Sequence, residues 1–139
     1  MMKVRYVVDA CAVLAHLNDE QGADAVEELY AGSSSDADKV GIHAVNLYEV
    51  YYFVNKHAGD AQAESVLRGI EQLGLHVERT LSNPLLRRAG RFKGDYRLSL
   101  ADSIALGYAE LAEASLVTCD HHEMDPVDAA GKASFFWIR

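Results

Sequence analysis

Ser99-Leu100-Ala101-Asp102-Ser103-Ile104-Ala105-Leu106 opens a helix that the rest of the chain has to cover. A hydroxyl residue followed three places on by an acid satisfies orphan N–H groups at a helix start. The continuation, Gly107-Tyr108-Ala109-Glu110-Leu111-Ala112, keeps most of the circumference apolar and so predicts an interior helix packed on a sheet. Asp102 thus begins a buried helix. Alone, it needs no role beyond completing the cap and facing the positive end of the helix dipole. Three other acids in comparable places change that reading.

Val4 to Val8 is β-branched and almost unbroken, the pattern of a strand buried on both faces, and it stops at Asp9. Helices are expected from Ala10 to Asn18 and from Ala23 to Ala31, followed by a polar loop, Gly32 to Asp38, too short to divide domains. Lys39 to Ile42 reads as a second strand. Asn46-Leu47-Tyr48-Glu49 then repeats the cap-and-acid spacing, with Asn46 as the expected N-cap of a helix reaching Lys56. Tyr48, Tyr51 and Tyr52 on that helix suit a core or a subunit interface better than a base-stacking surface. Ala61 to Leu73 is helical, Leu75 to Val77 is a short strand, and Ser82-Asn83-Pro84 starts another helix. Ser115 to Thr118 is a strand that ends at Cys119-Asp120, and Ala133 to Ile138 reads as the last strand. Between them, His121-His122-Glu123-Met124-Asp125-Pro126 fails the His-Glu-x-x-His zinc pattern, and Pro126 argues against a helix before Val127.

Strands alternating with helices predict an α/β fold whose parallel sheet is covered on both faces, one domain over residues 1–139. In such sheets ligands sit beyond the carboxyl ends of the strands. Asp9 and Asp120 end strands there, and Glu49 and Asp102 begin helices there. Two carboxylates about 5 Å apart repel by roughly 3 kcal/mol at an effective dielectric near 20, and helix N-termini offset about 0.3–1 kcal/mol each. A cluster of four requires protons or a divalent cation. With no Cys or His placed as ligands, the all-oxygen set suits Mg²⁺, or Mn²⁺ as its substitute, completed by water and a substrate phosphate. The chemistry that follows is metal-assisted phosphodiester hydrolysis.

The net charge of −8 opposes nucleic-acid binding by bulk electrostatics. A local strip does exist: Arg87, Arg88, Arg91, Lys93 and Arg97, five of the thirteen basic residues, crowd ahead of Asp102. It is either a solvated face or a grip for phosphates. Cys11 and Cys119 are far apart with no Cys-x-x-Cys pairing, which favours two reduced thiols in a cytoplasmic protein. No signal peptide or membrane span is expected.

Val7-Val8-Asp9, Asn46-Leu47-Tyr48-Glu49-Val50, Ala101-Asp102-Ser103-Ile104-Ala105 and Val117-Thr118-Cys119-Asp120, in this order and spacing, resemble the PIN-domain nucleases, and among them the VapC-like toxins of toxin–antitoxin pairs. The resemblance spans nearly the whole chain. It implies a three-layer α/β/α sandwich with a mainly parallel sheet of four to five strands, and a Mg²⁺-dependent endoribonuclease site. Carried over by position, Asp9, Glu49, Asp102 and Asp120 match the acidic metal-binding set. Thr118 matches the hydroxyl residue behind it, and Asp125 is a candidate outer acid. Cys11 departs from the serine, threonine or asparagine usual at that place. The resemblance also implies an RNA substrate, a homodimer and a cognate antitoxin partner. Rival readings are a phosphoacceptor domain, which would want paired acids after the first strand, and a phosphatase, which would want an acid where Cys11 stands. A non-catalytic PIN-like interaction module would be free to lose acids that this chain retains.

Overall fold

The structure, a computed structural model, describes residues 3–33 and 39–139. Five parallel strands form one sheet: β1 (Val4–Val8), β2 (Lys39–His43), β3 (His76–Glu78), β4 (Ser115–Thr118) and β5 (Phe135–Trp137), in the order β3-β2-β1-β4-β5. The helices are α1 (Ala10–Leu17), α2 (Ala23–Ser33), α3 (Ala44–Ala58), α4 (Asp60–Gln72), α5 (Asn83–Asp95), α6 (Leu100–Leu111) and α7 (His121–Ala129). Of the polar loop expected at Gly32–Asp38, positions 34–38 lie outside the described residues.

The twofold alternation of β1 and β4 explains the three layers. Val8 and Val117 face a core shared with α1, α2, α3 and α4, while Val7 and Leu116 face one shared with α5, α6 and α7. A strand buried on both sides is apolar along most of its length, which is why β1 reads as a nearly unbroken hydrophobic run, interrupted by the exposed Arg5. β1 and β4 run side by side, Val7 opposite Leu116 and Val8 opposite Val117. Their carboxyl ends therefore emerge together. α5 lies tightly against α6 because position 107 is glycine: a Cβ there would meet the Ala89 backbone nitrogen at 2.8 Å. Among the described residues no helix is long and apolar enough to cross a membrane.

Several expectations are corrected. α3 starts at Ala44 and is capped by His43, whose Nδ1 accepts the Val45 N–H at 3.1 Å while Nε2 lies 3.2 Å from the Thr80 carbonyl. Asn46 is consequently inside the helix and fully buried. The sequence rule for caps favours Ser, Thr, Asp and Asn, so it points to Asn46 rather than His43. Tyr48 and Tyr52 are exposed, stacked with ring centroids 5.9 Å apart, and Tyr51 donates to Glu64, so none of the three is core. α7 begins at His121 and runs through Pro126, because Asp120 caps it and Met124 and Val127 are both buried. The proline removes one helical N–H, a loss that the cap and the buried pair outweigh.

The reduced-thiol expectation is also overturned: Cys11 and Cys119 form a disulfide, with Cα atoms 6.0 Å apart. A separation of 108 positions conceals their proximity. Adjacent β1 and β4 deliver the two segments to the same edge, within the Cα range a disulfide requires.

Candidate metal centre

Asp9, Asp102 and Asp120, at the sheet's carboxyl edge, are each placed by a helix start. Asp9 is the N-cap of α1 and is buried; its Oδ1 accepts the Ala12 N–H at 2.9 Å. Its other oxygen accepts the Thr118 hydroxyl at 2.5 Å, and the same hydroxyl accepts the Asp120 N–H at 3.1 Å. Thr118, itself fully buried, thus links the two acids. Asp120 is the N-cap of α7, accepting the Glu123 N–H at 3.2 Å. Asp102 stands in the first turn of α6, where its N–H donates to the Ser99 hydroxyl at 3.1 Å.

Burial is the main cause that raises the Asp9 pKa to about 7; the bonds from Thr118 and Ala12 oppose it, and the charges of Asp120 and Glu49 add to it. Glu49, half-buried in the second turn of α3, is also raised, by burial first and then by Glu123 and Asp120. These couplings bring Asp9, Glu49 and Asp120 into one electrostatic cluster. Asp102, Asp120 and Glu123 each offer an oxygen within 4.8 Å of the others.

Glu123 is the acid that sequence reasoning passed over. Its Oε1 accepts the Ser99 N–H at 2.6 Å, so a residue at the start of α7 closes the cap of α6. Its signal in the sequence is Asp120-His121-His122-Glu123, which has the same cap-and-acid spacing as Ser99 to Asp102.

Other candidate residues lie apart from the cluster. Asp125 is exposed and lies 2.7 Å from His121 Nδ1, outside the group of three acids. His121 stacks on Trp137 at 3.9 Å, and its Nε2 lies 2.8 Å from the Arg139 carbonyl. That carbonyl, then Asp125, raises its pKa, and both ring nitrogens are engaged. Two members of the basic strip have protein partners. Lys93 donates to the Leu98 carbonyl at 2.8 Å, bracing the turn before α6. Arg88 Nε sits 3.2 Å from Glu110, eight residues beyond Asp102, which at 1.5 Å per residue is about 12 Å along α6. Arg87 and Arg91 share α5, and Arg97 stands in the connection to α6.

The donor set suits a small hard cation. Neighbouring oxygens of a Mg²⁺ octahedron lie about 3 Å apart and opposite ones about 4 Å, so oxygens already within 4.8 Å need little movement to share an ion. One turn before Glu49, the buried Asn46 has no protein partner for either amide atom. An unmet buried amide costs about 1–3 kcal/mol, so this position favours a polar guest such as water or a phosphate oxygen. Asp9, Glu49, Asp102, Asp120 and Glu123 are the residues that could hold the metal.

Comparison with known structures shows the same fold. VapBC from Salmonella typhimurium, solved bound to DNA, superposes with a TM-score of 0.75 at 14% identity, covering 98% of this chain and 99% of that one. VapBC2 from Rickettsia felis, bound to a promoter DNA fragment, gives 0.73 at 16% identity, covering 96% and 98%. VapC20 from Mycobacterium tuberculosis, described as a toxin that cleaves the sarcin–ricin loop, gives 0.64 at 14% identity, covering 92% and 95%. A comparison with curated protein sequences gives no match. The family model described as PIN domain matches residues 6–129, and the chain that carries this acidic edge belongs to the PIN domain family.

Proposed function

We propose that this protein is a Mg²⁺-dependent endoribonuclease, the toxin of a toxin–antitoxin pair. The observation that carries the reading is the convergence of Asp9, Glu49, Asp102, and the Asp120–Glu123 pair, from four segments, on one sheet edge. Capping accounts for some of these acids singly but leaves their mutual repulsion uncompensated, which a shared cation would relieve. A bound Mg²⁺ would supply Lewis acidity toward a phosphodiester and lower the pKa of water.

The chain's own residues prepare that chemistry. Thr118 and the Ala12 N–H fix both oxygens of Asp9, so its carboxylate needs no reorientation. The N-terminus of α6 positions Asp102, and Glu123 ties that N-terminus to α7. Thr118 is the positioning residue of the pair Asp9 and Asp120, and Asp125 acts at most as an outer acid through His121. Arg97, with Arg87 and Arg91 farther along α5, would contact the RNA backbone; Lys93 and Arg88 spend their charge on Leu98 and Glu110.

The partner assignment rests on neighbours whose names are toxin–antitoxin complexes. In this reading the protein acts in the cytoplasm as a homodimer bound by a cognate antitoxin. The exposed, stacked Tyr48 and Tyr52 of α3 suit the dimer surface.

The test is incubation of purified protein with a panel of structured RNAs and either Mg²⁺, Mn²⁺ or chelator. Discrete cuts that require the cation support the assignment. Intact RNA throughout, together with no Mn²⁺ binding by folded protein, gives the non-catalytic interaction module instead.

A further inference from the structure

Cys11 and Cys119 stand in immediate sequence contact with the acidic edge. Cys11 follows Asp9 by two positions in the first turn of α1, and Cys119 directly precedes Asp120. The β1–β4 ladder carries a last backbone bond from Asp9 N–H to the Val117 carbonyl at 3.3 Å, and beyond it the chains part into α1 and α7. The disulfide crosses where they part. It therefore fixes the two N-caps, Asp9 and Asp120, relative to each other. Both cysteines are partly buried.

We propose that the Cys11–Cys119 bond is a redox-controlled tie on the acidic edge, holding Asp9 and Asp120 in register when oxidised and lowering the site's affinity for a divalent cation when reduced. The inference rests on the metal-site reading given above. The reductant is a dithiol of small-molecule or protein origin. One of its thiolates attacks a cysteine sulfur, breaking the S–S bond and releasing the other sulfur as a thiolate. The reductant's second thiolate then attacks its own sulfur in that mixed disulfide, breaking the protein–reductant S–S bond and releasing the cysteine as a thiolate. Two electrons and two protons pass to Cys11 and Cys119, and the dithiol ends as its own disulfide.

The bond has a natural route to the metal. Groups that orient ligands without touching the ion commonly change affinity about 10–100-fold when removed. The hydroxyl of Thr118 persists after reduction and still joins Asp9 to Asp120, so the lower part of that range applies. The cysteines are positioning residues here, since neither is needed as a ligand.

The experiment is a Mn²⁺ titration of the full chain in three forms: oxidised, reduced with dithiothreitol and desalted anaerobically, and Cys11→Ser/Cys119→Ser. Circular dichroism confirms that each is folded, and Cys11→Ala replaces the double variant if that one is not. The expected result is a Kd about tenfold weaker on reduction, restored by reoxidation, with the variant fixed at the weak value and indifferent to dithiol. Equal affinity in folded oxidised and reduced protein would overturn the tie and leave the metal site standing. So would free alkylation of both thiols in air-exposed protein. Absence of Mn²⁺ binding in every form would overturn both readings together.

Discussion

Thr118 donates its hydroxyl to Asp9 at 2.5 Å across the β1–β4 boundary, and both side chains are buried. The bond favours the charged form of a carboxylate that burial drives toward the neutral one. Thr118→Val removes it at nearly constant volume. The expected outcome is a stability loss of about 1–3 kcal/mol, a further rise of the Asp9 pKa, and Mn²⁺ binding that sets in at higher pH. Thr118→Ser retains the wild-type profile. Denaturant unfolding and Mn²⁺ titration across pH check both.

Asp9 links stability to pH in the reverse of the usual carboxylate sense. Its folded pKa, about 7, is above the ordinary 3.8, so folded protein binds the proton more tightly than unfolded protein does. This contribution is full below the unfolded value and is lost as pH rises through the folded one. A cation that displaces the proton should therefore raise Tm more at pH 8 than at pH 5.5. Asp9→Asn can still accept from Ala12 and donate to Thr118; it should be more stable than metal-free wild type at pH 8 and lack the cation response. Thermal melts with Mg²⁺ and with chelator at both pH values decide it.

Glu123 has two functions that substitution separates. Glu123→Gln keeps an oxygen for the Ser99 N–H but loses the charge, so stability should stay within about 0.5 kcal/mol of wild type while Mn²⁺ affinity falls about tenfold or more. Glu123→Ala loses the cap as well and should cost about 1 kcal/mol. Paired calorimetry and chemical denaturation of the two variants test the separation.

Gly107 reports on the packing that orients Asp102. A methyl group there must displace the Ala89 backbone of α5, so Gly107→Ala should destabilise by about 1–3 kcal/mol despite its better helix propensity. A more stable variant, measured by urea unfolding, would contradict the close α5–α6 contact.

The layers and the acidic edge were legible because strands buried on both faces have to be apolar until they end, and here they end at Asp9 and beside Asp120. What escaped was whatever depends on proximity across the fold. Cys11 and Cys119 meet because β1 pairs with β4, a fact absent from their spacing. Glu123 joins the cluster because α7 forms despite Pro126. Arg88 pairs with Glu110 because α5 lies along α6, a contact absent from the sequence spacing. Cap rules also misplaced the start of α3, where His43 serves and Asn46 is buried without a protein partner.

In the proposed function the carboxylates gathered on this edge hold an ion that promotes RNA cleavage. The most direct test is the cleavage rate of one responsive RNA by oxidised wild-type protein and by Asp102→Asn, purified identically, with Mg²⁺ and with chelator. Wild type should cleave only with Mg²⁺, and the variant should lose at least about a hundredfold in rate, since a ligand and its charge are removed. Equal cleavage by both proteins, or cleavage that survives the chelator, would contradict the proposed function.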